Sequence, residues 1–152
     1  MAVNIYDEVA DLCRAGSHAS LDALMELGVR PADPGEEILW RIRSRRLRNQ
    51  IDSLTSMASD LTAAAILLDL SEFEDELATI QAVTDDARES IAKIEEISHK
   101  LSKFAKILDL GLALLAIPAA TASPATLAAA VGGAVTAARE LAKTDDPEDG
   151  SE

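Results

Sequence analysis

The sequence predicts an all-α protein, a helical bundle built on a long antiparallel heptad hairpin with an Ala-rich apolar C-terminal helix pair. Three observations carry this. No glycine or proline interrupts the 75 residues between Gly35 and Gly111, and these two are the strongest local breakers of a helix. Apolar residues make up 48% of the chain and aromatics only 3%, with Ala, Leu, Ile, Glu and Asp dominant, which is helix-forming material. Apolar positions also recur in a 4-3 spacing that keeps one helix face apolar on a seven-residue repeat. At 152 residues the length suits one domain with a single core, assigned to residues 1–143.

The elements follow in order. Two short helices are expected at 5–15, ended by Gly16, and at 20–27, ended by Gly28. Asp33, Pro34 and Glu36 then open a long helix over 34–69, with Asp33 as the cap and Pro34 at the first helical position. Its seam runs through Trp40, Ser44, Leu47, Ile51, Leu54, Ala58, Leu61, Ala65 and Leu68. A second seam starts out of phase at Phe73 and continues through Leu77, Ile80, Thr84, Ala87, Ile91, Ile94, Ser98, Leu101, Ala105 and Leu108. Ser71 and Glu74 have capping-box spacing at that break. A tight turn at 69–71 therefore joins antiparallel helices 34–69 and 72–109, each ~50–55 Å long; one continuous helix with a phase slip is the alternative. Apolar helices follow at 110–117 and 124–143, the second opened by Ser123 and Pro124. Residues 144–152, TDDPEDGSE, hold five acids and no base and are expected to form an acidic disordered tail.

Charge and chemistry narrow the function. A formal charge of −13 argues against broad attraction to nucleic acid. One cysteine, Cys13, excludes an internal disulfide or a cysteine zinc cage, and its place in a short amphipathic helix reads as a buried structural thiol. Glu96 and His99 form half of a di-iron motif, but the other histidine, His18, has Ala15 at the matching position. The heptad phase also turns Glu96 and His99 outward. Asp145, Asp149 and Gly150 echo a calcium loop, yet Pro147 stands where a ligand belongs. Gly132 and Gly133 lack the strand–loop–helix context of a phosphate cradle and read as a close-packing or kink site. Glu72, Glu74, Asp75 and Glu76 complement a helix dipole. The expectation is therefore no catalytic residues, cofactor, metal or small-molecule substrate, and no enzyme. The first residues lack a basic flank before a long apolar run, so a cytoplasmic protein is expected, with peripheral attachment to a membrane as an addition.

The segment 40–48, WRIRSRRLR, places Arg41, Arg43, Arg45, Arg46 and Arg48 beside the only tryptophan. In an antiparallel hairpin these arginines lie alongside 93–100, with Lys103 and Lys106 just beyond, so a cationic end with Lys100, Lys103 and Lys106 is expected. That end adjoins residues 110–138, which carry no formal charge. Pro118, Pro124 and the polar Thr121, Ser123 and Thr126 divide this stretch into two arms, each too short for the roughly 20 residues of a spanning helix. Leu112, Leu115, Ile117, Leu127 and Val131 are the residues such a hairpin would insert into a membrane or partner.

Long heptad helices followed by an apolar hairpin resemble bacterial α-helical pore-forming proteins over about residues 70–138. The resemblance is one of arrangement and implies 110–138 as the inserting segment. It departs from those proteins where they return through another long helix. The function expected is a non-enzymatic, self-associating helical interaction or scaffold protein assembling through its heptad seams, as a homo-oligomer or with a helical partner. The alternative is a membrane-perturbing protein that docks on anionic lipid by its basic end.

Overall fold

The computed structural model describes residues 4–65, 71–120 and 123–143. Among these the protein is all-helical, packed as a bundle: α1 (Ile5–Leu27), α2 (Pro34–Ala64), α3 (Glu74–Ser90), α4 (Ile97–Ala119) and α5 (Pro124–Ala142), with 3-10 turns at Ser71–Phe73 and Ile91–Lys93. The expected tail at 144–152 and residues 69 and 70 of the expected turn lie outside the described residues.

Side-chain contacts fix the directions of the helices. Asn4 Nδ2 donates to the Ala65 carbonyl at 2.8 Å, Ser17 Oγ lies 3.0 Å from Thr55 Oγ1, and Trp40 Nε1 donates to the Gly28 carbonyl at 3.2 Å. These contacts run α1 antiparallel to α2. Opposite the same α1, Tyr6 meets Leu114 and Glu26 faces Lys100, so α4 also opposes α1 and runs parallel to α2. Lys103 Nζ reaches the Leu141 carbonyl at 2.7 Å, which brings α5 back along α4. With α3 packed against α1 and α5, the order α1, α4, α5, α3 closes a four-helix ring, and α2 lies outside it against α1 and α4. The core holds Leu12, Leu47, Leu54, Phe104, Ile107, Leu114 and Leu141, each fully buried.

Helix starts obey local chemistry. The Asp33 carboxylate accepts from Glu36 N at 3.0 Å with Pro34 in the first turn. At α5, Ser123 and Thr126 cap each other reciprocally at 3.2 Å. Gly28, at φ 74°, ends α1 in the left-handed region that glycine enters without steric penalty.

Several expectations are corrected. Residues 5–15 and 20–27 form one helix, because Gly16 is not a stop. It is buried, and a Cβ there would meet Leu54 Cδ1 at 3.1 Å; the absent side chain lets α2 approach. The helix expected over 72–109 breaks: α3 ends at Ser90 and α4 begins at Ile97. Nor do α2 and α3 form a packed pair among the described residues; α2 packs instead on α1 and α4. A free rod of ~55 Å would leave much of its apolar face in water. The break buries Ile80, Thr84, Ala87 and Ile91 of one half and Phe104, Ile107, Leu110 and Leu114 of the other. It also resets the phase, so the expected seam residues Ser98 and Ala105 face solvent.

The helix expected at 110–117 is the second half of α4, which carries Pro118 inside it. Before α3 the chain makes a 3-10 turn over Ser71–Phe73, and Phe73 takes the cap position with no side-chain hydrogen bond; the Ser71 side chain of the expected capping box lies outside what the structure describes. Gly132 and Gly133 are exposed with nothing within 4 Å of an added Cβ, so close packing is not their role.

Candidate docking surface

The α1–α2 corner gathers what a protein interior normally hides. Among the described residues, six of the seven exposed large apolar side chains, Leu21, Met25, Val29, Ile38, Leu39 and Ile42, fall between residues 21 and 42, with Met25 71% and Val29 90% exposed. Ile38, Leu39 and Ile42 are exposed because α2 sits outside the four-helix ring and, among the described residues, packs only on α1 and α4. Its seam residues Ser44, Leu47, Leu54, Ala58 and Leu61 face inward and are buried. Ile38, Ile42, Arg45 and Asn49 follow at helical spacing and are exposed. On α1, Leu21 and Met25 stand one turn apart, and Val29 follows in the connection held by Trp40 and Gly28.

Between Glu37 and Asp52 the chain carries five arginines and no acid. Arg41 Nε donates to the buried Glu37 carboxylate at 3.1 Å, and Arg30 pairs with the same group at 3.1 Å. Arg43 is half-buried, and Arg45, Arg46 and Arg48 are exposed. Among the described residues the side chains of these four make no ion pair or hydrogen bond.

The expected lysines do not extend this surface. Lys100 and Lys103 are buried, Lys100 with its ammonium 3.9 Å from Glu26 and Lys103 bonded to the last turn of α5. A lysine there satisfies a carbonyl left free at a helix end. Lys106 is half-buried and works toward α5. The Lys143 ammonium, hydrogen-bonded to Glu140, holds that carboxyl below its ordinary range, and Lys106 adds a smaller pull.

The five residues named for insertion separate. Ile117 and Val131 lie in the core, Leu115 and Leu127 are half-buried against it, and only Leu112 is exposed. No helix among the described residues is long and apolar enough to cross a membrane.

An open cleft of about 460 Å³, unforeseen in the sequence, lies where α3 hands over to α4. It is lined by Asp86, Ser90, Lys93, Glu95, Glu96 and His99 among others. His99 Nε2 stands 3.5 Å from a Glu96 carboxylate oxygen, and Glu96 itself is exposed. No three histidine, cysteine or acidic side chains among the described residues are placed to hold a metal. Burial pushes the Cys13 thiol up to about 12, against a weaker opposing pull from Arg14.

The arginine run was legible as a motif, but the apolar half of the corner was missed. A signal existed: Ile38, Leu39 and Ile42 are apolar at positions off the heptad seam of their own helix. No family model, curated protein or solved structure matches the chain.

Proposed function

We propose that the protein is a non-enzymatic helical interaction protein that binds an acidic helical partner through the α1–α2 corner. The observation that supports this is the gathering of Leu21, Met25, Val29, Ile38, Leu39 and Ile42 in the open beside an acid-free run of arginines. Exposed apolar clusters rimmed by polar groups mark interaction surfaces, and arginine is favoured at them. Assembly through the heptad seams has little support, because Leu47, Leu54 and Leu61 are already fully buried within the chain. Two copies meeting corner to corner would set arginine against arginine, which like-charge repulsion opposes.

The test is calorimetric titration with an amphipathic helical peptide whose faces carry leucine and glutamate. Binding that falls when Arg45, Arg46 and Arg48 are replaced by Gln, and falls separately in Ile38→Ser/Ile42→Ser, supports the reading. Absence of binding, or equal binding by all variants, overturns it.

The same corner favours a second reading, docking on anionic lipid, at about 1 kcal/mol per basic residue near the bilayer. Burial of Ile117 and Val131 favours surface attachment over insertion of 110–138. Flotation with phosphatidylserine vesicles that is lost in high salt supports it, and no flotation at low salt removes it.

A further inference from the structure

The docking corner has a candidate occupant in the chain itself, an inference that rests on the reading just given. Residues 144–152 hold five acids and no base and follow Lys143, where α5 ends. Contacts fix where they leave the bundle. Gly16 packs near both Leu54 Cδ1 and Ile107 Cδ1, which sets those residues of α2 and α4 at one level. Since α2 and α4 run parallel, one turn back brings Gln50 level with Lys103. Lys103 in turn bonds the Leu141 carbonyl, so α5 ends at about the height of Arg48.

Distance and charge then agree. The helix α4 neighbours both α5 and α2, and at 8–10 Å per packed pair the two lie at most about 20 Å apart. Nine residues extended cover about 30 Å. The first cations within that reach on α2 are Arg45, Arg46 and Arg48, all exposed.

We propose that residues 144–152 fold back across α4 onto the α1–α2 corner of their own chain, their carboxylates against Arg45, Arg46 and Arg48. They form a built-in competitor that an acidic partner must displace. A tether this short holds its acids at an effective concentration of order millimolar, enough to oppose weak anionic ligands and yield to a partner that also covers the apolar side chains.

The experiment uses the full chain with Ser151→Cys carrying a nitroxide; Cys13 is buried and stays unlabelled. Paramagnetic broadening of the amide signals of residues 41–48 is expected. It should vanish at 1 M salt, where screening acts within about 3 Å. It should also vanish when Asp145, Asp146, Glu148, Asp149 and Glu152 are replaced by their amides. Broadening confined to the α3–α4 cleft overturns the proposal. So does broadening that appears in an isotope-labelled chain mixed with a separate spin-labelled one, since that reports a contact between copies.

A second arm titrates the leucine–glutamate peptide into both chains. The amide-substituted chain should bind it about twofold more tightly, the factor expected when a millimolar tether opposes a millimolar contact. Equal binding with no broadening sinks the tether and leaves the docking surface standing. Broadening at 41–48 with no peptide binding does the reverse.

Discussion

At the scale of single residues, the most constrained contact joins Tyr6 to α4. Pro118 lies inside that helix and has no N–H to return to the carbonyl four residues earlier, that of Leu114. The buried Tyr6 hydroxyl takes its place, donating to the Leu114 carbonyl at 2.7 Å. Tyr6→Phe should therefore cost about 1–3 kcal/mol in urea unfolding, the penalty of an orphaned buried carbonyl. The same change in a Pro118→Ala background should cost less, because the alanine N–H can serve that carbonyl.

Burial also raises the Tyr6 phenol to about 12, from an ordinary 10, and Cys13 to about 12 from 9. Both groups stay protonated in the folded chain while the unfolded chain releases its protons. Stability should thus be full below pH 9, fall as pH rises from there, and level off beyond about 12. Unfolding midpoints measured from pH 8 to 11.5 check this, and Tyr6→Phe should fall less steeply above pH 10. The reading of Cys13 as a buried thiol was legible from its place on an amphipathic helix. The use of Tyr6 was not, since it depends on a proline 112 residues away.

Among the elements, glycines give the sharpest contrast between what sequence says and what packing does. Gly132 and Gly133 stand in open space within α5, whereas a Cβ on Gly111 would come 2.7 Å from Met57 Cγ and Sδ. Gly132→Ala and Gly133→Ala should each stabilise by up to about 1 kcal/mol, raising the melting temperature by about 2–4 °C. Gly111→Ala should give no gain or a loss, since crowding costs about 1–3 kcal/mol. In a Met57→Ala background it should become stabilising, a coupling that a double-mutant cycle reads directly.

Three caps were legible from local sequence: Asp33 with Pro34, Ser123 with Pro124, and Gly28 all act as their types suggest, whereas Gly16 has the same look as Gly28 and lies inside α1. The break between α3 and α4 was not, because Ile94, Glu95 and Glu96 carry no breaker. It exists because two buried faces outweigh one uninterrupted hydrogen-bond ladder. Among the described residues the seam of α2 stays buried or half-buried, since nothing interrupts that helix, whereas beyond Ile94 three non-helical residues turn Ser98 and Ala105 outward while Leu101 and Leu108 still pack on the core.

For the whole molecule, a net charge of −13 means that the folded chain repels itself, and moderate salt should relieve this. Raising sodium chloride from 20 to 200 mM is expected to increase the melting temperature, and a decrease would show that local pairs such as Arg88 with Glu8 outweigh the overall field. The sequence placed the basic run at one end of a bundle, though by a hairpin that does not form; α2 and α4 bring the same residues to the same end by running parallel. What it could not show is which apolar residues a five-helix packing would leave uncovered.

One contact at that end has a practical side. Trp40 is the only tryptophan in the chain, half-buried, with its indole N–H tied to the Gly28 carbonyl. Its emission colour depends on how much water reaches the ring, so anything that covers or loosens the corner will register as a blue or red displacement of a single fluorophore. The molecule thus carries its own optical gauge of occupancy, readable without any attached dye.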